Sequence, residues 1–238
     1  MIKVRGLAKA FNGQQVLDGI DLDVAPGEIV AVMGPSGSGK TVLLLTLIGL
    51  MAPDAGSVDI DGVAVTRMAE PGLLKFRRNV GYLFQDGALY DFLTVAENVA
   101  FPLREHGKLT PAQVKARVAE LLKLVDMAGA GEKYPSELSG GMRKRAALAR
   151  AMAPGAKVLL CDEPTSGLDP VRSRDISLLI RGLSKQMGCT TVITTHDVRN
   201  AFRAADRAVV LHEGRVAGQG AEDALRASAH PFIKEFLE

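Results

Sequence analysis

The segment Gly34-Pro35-Ser36-Gly37-Ser38-Gly39-Lys40-Thr41 satisfies the pattern G-x-x-x-x-G-K-[S/T] at every fixed position. Its glycines let successive backbone N–H groups wrap a β-phosphate, and a helix starting near Lys40 adds a field favourable to an anion. Lys40 can reach β- and γ-oxygens, and the Thr41 hydroxyl can ligate Mg2+. A second chemically capable pair, Asp162-Glu163, follows the apolar run Val158-Leu159-Leu160-Cys161. A buried parallel strand delivers its last residues to the carboxyl edge of its sheet, where ligands bind in such folds. There Asp162 can hold Mg2+ or its water, and Glu163 can orient an attacking water or take its proton.

A third segment, Leu138-Ser139-Gly140-Gly141-Met142, precedes a stretch rich in Ala and Arg. Ser139 can cap a helix there, and two glycines allow backbone to approach a ligand closely. This makes a second anion-seeking helix N-terminus in a chain that already has a phosphate loop. Such a half-site is useful if it closes over the γ-phosphate held by another subunit.

The elements that must position these residues follow from short apolar runs alternating with helical patterns, which predict an α/β fold with a mostly parallel sheet. Buried strands are expected at residues 28–33, 80–84, 157–161, 190–195 and 208–212. Helices are expected at 40–50, 141–153, 171–187 and 198–205, and from Thr110-Pro111, a cap followed by a first-turn proline, to about Val125. The first ~25 residues and residues 56–65 look like hairpins, the latter turning at Asp61-Gly62, and would form a small antiparallel lobe. Helical signals dominate between Asp86 and Pro154, so one domain, 1–238, with a helical lobe at about 86–155, is expected.

The 238 residues carry a net charge of +2, so bulk electrostatics demand neither nucleic acid nor an anionic membrane as partner. Cys161 and Cys189 lack metal-ligand or paired spacing and read as buried reduced thiols. His106, His212 and His230 have no metal spacing and receive no role. Met1 leads directly into a strand-like start, so no signal peptide is expected. The longest apolar stretch, 42–51, is far short of the ~20 residues a bilayer span needs. Any membrane role would therefore run through a partner.

The ordered set of residues 34–41, Gln85, 138–142, Asp162-Glu163, 166–169 and His196 resembles the ATP-binding-cassette (ABC) ATPases across essentially the whole chain. The resemblance implies a P-loop NTPase (RecA-like) core with a small antiparallel β lobe and an inserted α-helical lobe. It implies an ATPase using ATP and Mg2+, and a head-to-tail homodimer with two ATPs between phosphate loop and signature segment. Ser139, Gly140 and Gly141 would then act in trans, and Asp169 would help assemble the facing site. Phe11 would stack on adenine, where Tyr is more usual. Gln85 would touch Mg2+ or water and sense the membrane partner, and His196 would contact the γ-phosphate. Met142 stands where the signature commonly has Gln, which leaves nucleotide contact to the Ser and glycines, and Cys161 stands where an aliphatic or Phe is usual and reads as core. The basic run Arg143-Lys144-Arg145 is expected to be a solvated or interface face rather than a nucleic-acid contact.

The absence of coiled-coil insertions and of a second cassette sets the chain apart from ABC ATPases of DNA repair and translation, and the fifty or fewer residues after His196 leave little room for extra regulatory domains. Residues 84–90, 95–106, 135–151 and 231–237 resemble the Mla/Mce phospholipid-transport ATPases. That likeness implies integral membrane permease subunits of the MlaE type, an MCE-domain lipid-binding protein, and a peripheral position on the cytoplasmic face of the inner membrane. A motor for amino acids or lipoproteins, and a soluble ATPase that remodels nucleic acid or ribosomes, remain as alternatives.

Overall fold

The computed structural model describes residues 1–105 and 109–238; His106 and the end of the 95–106 segment lie outside the described residues. β1 (Ile2–Phe11) and β2 (Gln14–Val24) form a hairpin whose turn residues, Asn12 and Gly13, both have positive φ, the geometry that matches strand twist. β3 (Ile29–Met33) is buried on both faces and runs into α1 (Lys40–Leu47). A second hairpin, β4 (Ala55–Ile60) and β5 (Val63–Ala64), turns at Asp61-Gly62, again with φ positive at both positions. The two hairpins share one antiparallel sheet in the order β2-β1-β4-β5.

The chain continues through α2 (Glu70–Arg77), β6 (Val80–Leu83), α3 (Val95–Glu105), α4 (Pro111–Leu124) and α5 (Gly140–Met152). It then passes through β7 (Val158–Asp162), α6 (Pro170–Met187), β8 (Thr190–Thr195), α7 (Val198–Ala204) and β9 (Arg207–His212). β10 (Arg215–Gly220), α8 (Glu222–Arg226) and α9 (Pro231–Leu237) close the chain. Among the described residues the main sheet has the order β10-β9-β3-β8-β7-β6, parallel except for β10. Alternate residues of its strands feed two cores. Ile29, Ala31 and Met33 face the layer containing α3 to α9, while Val30 and Val32 face α1, α2 and the hairpin sheet. α3, α4 and α5 form the helical lobe, with Thr110 and Gln113 closing a reciprocal cap at the start of α4.

Register decides where the chemistry emerges. Met33 pairs with Thr195 and Asp162 with Thr194, so the phosphate loop, His196 and Glu163 leave the carboxyl ends of three adjacent strands.

Four elements, α2, β10, α8 and α9, were not expected from the sequence. Pro71 and Gly72 disguise α2 as a turn, two glycines do the same for β10, and the last two helices, of five and seven residues, are too short for a periodic pattern. The expected helix 40–50 stops at Leu47, because Gly49 takes φ 64° where a Cβ would lie 2.6 Å from Leu73 Cδ2.

Candidate functional site

The phosphate loop is shaped by two close approaches. A Cβ on Gly34 would lie 2.4 Å from the Leu211 carbonyl oxygen, and one on Gly39, at φ 94°, 2.8 Å from the Val16 carbonyl oxygen. Only glycine fits either place. Gly39 N-caps α1 without any side-chain hydrogen bond, so the first N–H groups of α1 are left for a ligand. Ser38 Oγ is the one buried side-chain polar atom among the described residues with no hydrogen-bond partner. A buried hydroxyl without a partner is costly, and a loop of N–H donors around it fits a phosphate group.

Lys40 lies nearly buried, its Nζ donating to the carbonyls of Gly34 (2.9 Å) and Pro35 (3.1 Å) and standing 3.3 Å from Glu163 Oε1. The other Glu163 oxygen is 3.0 Å from His196 Nδ1. One carboxylate thus bridges the cation of the phosphate loop and the imidazole that follows β8. Glu163 itself sits at φ 43°, a left-handed conformation that costs a non-glycine residue on the order of 1 kcal/mol or more. Its N–H is anchored on the Thr194 carbonyl at 3.1 Å and on Thr194 Oγ1 at 3.2 Å.

Asp162, buried at the end of β7, receives Thr41 Oγ1 at 3.1 Å and Thr194 Oγ1 at 2.6 Å, both on Oδ1, with the Tyr82 hydroxyl 3.4 Å from Oδ2. Burial and the adjacent Asp162 charge push the Tyr82 hydroxyl well above its ordinary pKa, so it remains a proton donor. Among the described residues no three His, Cys, Asp or Glu gather as a metal cluster. Thr41 and Asp162 offer two adjacent oxygens, which fits a Mg2+ that brings its remaining ligands as water and phosphate.

Phe11, Ser36, Gly37, Gly39, Lys40, Thr41, Gln85, Glu163 and His196 line one pocket of about 420 Å3. Phe11 stands at its rim with Lys9 Nζ 5.6 Å from the ring centroid. Ser139, Gly140, Gly141 and Asp169 do not line it. Ser139 caps α5, its Oγ accepting the Met142 N–H at 3.4 Å. Asp169 caps α6, accepting from Val171 and Arg172 N–H. Cys161 is fully buried in β7, as expected, and burial pushes its thiol pKa up.

Within the basic run on α5, Arg143 is exposed as expected, but the expectation of a solvated face fails at Lys144. Lys144 is buried and donates to the Gln85 carbonyl, and Arg145 bonds the Val125 carbonyl and Asp126. One turn on, Arg150 bonds the carbonyls of Gly87 and Ala88. These cations tie the signature helix to the segment after β6 and to the end of α4. Burial lowers the Lys144 pKa, with Asp86, Asp162 and Glu163 pulling it back up. Lys144 therefore belongs to the site's surroundings, a placement to which a run of three basic residues gives no clue. Asn98 is a second unanticipated residue. Fully buried, it bonds both the N–H and the carbonyl of Tyr90 and the carbonyls of Leu93 and Thr94, and so fixes the segment that leads into α3.

The family model "ABC transporter" matches residues 17–166, more than half of the chain. A probable ribonucleotide transport ATP-binding protein of Mycobacterium leprae is 42% identical over 99% of this chain and 68% of its own length. A methionine import ATP-binding protein of Caulobacter vibrioides is 44% identical over 93% of this chain and 67% of its own length. The chain spans about two thirds of such relatives, 66% for one from Mycobacterium tuberculosis. Among solved structures, the ATP-binding cassette MJ0796, in a dimeric post-hydrolysis state with ADP and Pi, superposes with a TM-score of 0.85 at 32% identity. The match covers 93% of this chain and 98% of that one.

Proposed function

The chain belongs to the ABC transporter family, as an ATP-binding subunit that hydrolyses ATP, and from that premise we propose that it drives movement of phospholipid or another lipid across a bacterial cell envelope. One observation carries the assignment of roles: Lys40, Glu163 and His196 converge at a single carboxylate beside the Thr41–Asp162 pair. The proposed unit is a single ABC ATPase domain, 1–238, with the helical lobe of about 86–155 inserted in the α/β core.

In this reading the N–H groups of residues 34–39 cradle the phosphates and Phe11 takes the adenine. Lys40 exchanges Glu163 for the β- and γ-oxygens, a trade of one anion for another that leaves no cation stranded. Thr41, Asp162 and Gln85 would hold Mg2+, which when bound neutralises charge on the phosphate oxygens. Glu163, released from Lys40, turns to the attacking water as base or orienting group. His196 keeps contact with the γ-phosphate and holds the geometry. Ser139, Gly140 and Gly141 of one protomer close over the nucleotide of the other in a homodimer, and Asp169 helps assemble that facing site.

Support for a membrane partner comes from the surface next to Gln85. Tyr90 packs 4.9 Å from Phe101 and 5.7 Å from Phe92, which is 76% exposed, beside a groove of about 460 Å3 that includes Phe84 and Pro102. Exposed aromatic clusters of this kind mark contact surfaces. Among the described residues no helix is long and apolar enough to cross a membrane, so the proposed position is peripheral, on the cytoplasmic face, held by permease subunits. The Mla/Mce likeness of residues 84–90, 95–106, 135–151 and 231–237 supports an MlaE-type permease and an MCE-domain protein.

A second reading, a small-solute importer, is favoured by the relative that serves methionine import. Isolation from native membranes and reconstitution into liposomes separates the two. A lipid motor co-isolates with a multi-spanning permease and an MCE-domain protein, and phospholipid stimulates its ATP turnover. Stimulation by methionine with a solute-binding protein, and none by lipid, would replace the proposal with the second reading.

A further inference from the structure

We propose that Thr194 is a positioning residue for hydrolysis, its single hydroxyl fixing both the side chain of Asp162 and the backbone of Glu163. The inference rests on the roles assigned above to those two carboxylates. Thr194 is 0% exposed at the fifth position of β8, paired with Asp162 on one side and Val32 on the other. Its Oγ1 donates to Asp162 Oδ1 at 2.6 Å, a short charge-assisted bond, and the same oxygen accepts the Glu163 N–H at 3.2 Å. The only other acceptor near this hydroxyl among the described residues, the Cys161 carbonyl, is at 3.4 Å.

Each partner needs this contact. Asp162 Oδ1 has one other donor, Thr41, whose hydroxyl is assigned to the metal, and Tyr82 stands farther off at 3.4 Å on Oδ2. Thr194 is therefore the donor that can hold the aspartate rotamer while Thr41 serves the ion. Glu163, for its part, is held at φ 43°, and both acceptors of its N–H belong to Thr194. A buried hydroxyl in a sheet interior costs stability unless its bonds are made, so valine would suit the strand equally well on packing alone.

The same strand supplies a control. Thr191 is also fully buried, but its hydroxyl bonds Ser184 Oγ at 2.9 Å and its register partner is Ile29 at the start of β3. Three residues of strand, about 10 Å, separate it from Thr194.

The test compares wild type with Thr194→Val, Thr194→Ser, Thr191→Val and Asp162→Asn. The readouts are binding of a fluorescent ATP analogue at graded Mg2+, steady-state kcat and KM, and Tm. Removing a group that orients a metal ligand commonly costs ~10- to 100-fold in metal affinity or activity. Thr194→Val is expected to raise the Mg2+ needed for half-saturation by about 10-fold and to lower kcat by about as much, with KM for ATP at saturating Mg2+ within about 3-fold of wild type. Thr194→Ser should restore both, and Thr191→Val should lower Tm while keeping the wild-type Mg2+ response. If Thr194→Val does not fold, Thr194→Ala against Thr194→Ser gives the same contrast. Wild-type Mg2+ response and kcat in Thr194→Val, with the Mg2+ response lost in Asp162→Asn, overturns the inference alone. An unchanged Mg2+ response in Asp162→Asn overturns the assignment of Asp162 on which it stands.

Discussion

The N-termini of α1, α5 and α6 treat their first N–H groups in three different ways. α6 places Asp169 on its own first turn, where the Arg172 N–H and then the Arg172 charge and Val171 N–H hold the carboxyl below its ordinary pKa. Its anion is built in. α1 begins at Gly39 with no side-chain cap and no acidic residue in its first turn, inside a pocket that also holds Lys40. Its anion must arrive from outside. α5 lies between these, capped by the neutral Ser139 through a long 3.4 Å bond, with two glycines following. A missing cap is not enough to make an anion site, since α9 also lacks one; what sets α1 apart is that its uncapped N–H groups open beside Lys40 in a pocket.

The largest expected effect tests the chemistry around α1. Glu163→Gln should bind ATP normally and turn over at a rate lower by on the order of 10²-fold or more, measured as phosphate release. Near-normal turnover would remove Glu163 from its role. Lys40→Ala should weaken nucleotide affinity itself by roughly 10- to 100-fold, read with a fluorescent analogue, since a charge-assisted bond to phosphate is worth about 1.5–3 kcal/mol. Unchanged affinity would break the claim that α1 is the anion site.

Ser139→Ala should sharpen the contrast between α1 and α5. Affinity of one protomer for nucleotide is expected to stay at the wild-type level while turnover of the dimer falls by about 10-fold, the loss of one hydrogen bond to a charged group at the lower end of its worth, about 1.5 kcal/mol. A purely structural cap predicts instead a loss of stability with turnover intact. Thr110→Ala provides that pattern on α4, where the reciprocal cap with Gln113 should be worth about 1 kcal/mol in denaturant unfolding and nothing in ATP affinity.

The smallest effect belongs to α6 and is pH-dependent. Because the folded Asp169 pKa is depressed, its contribution to stability is present above the ordinary value of 3.8 and is lost as the pH falls through and below it. Asp169→Ala should therefore unfold at a lower Tm than wild type at pH 7, and the gap should close toward pH 3. A gap that is constant with pH would show that the cap acts through something other than its charge.

The same contrast explains what could be read from the chain alone. The phosphate loop was legible because Gly34 and Gly39 are demanded by backbone contacts that no other residue tolerates, so spacing and identity are fixed together. Asp162-Glu163 was legible because a strand buried on both faces, β7, has to end where its first carboxylate appears. Lys144 and Thr194 were not. A lysine inside a basic run reads as a solvated face, and its burial depends on α5 packing beneath the carbonyl of Gln85, a contact 59 residues away. Thr194 stands in a strand of threonines and aliphatics where propensity alone accounts for it. Its partner Asp162 is 32 residues distant, and only the β7–β8 register brings them together.

The proposed function requires one geometry, in which the cradle of one protomer and the α5 tip of its partner hold opposite sides of a single triphosphate. The most direct measurement is a structure of Glu163→Gln saturated with Mg2+ and ATP in its native membrane complex. The γ-phosphate is expected within hydrogen-bond distance of Lys40 from one protomer and Ser139 from the other. Two nucleotides each enclosed by a single chain would contradict it.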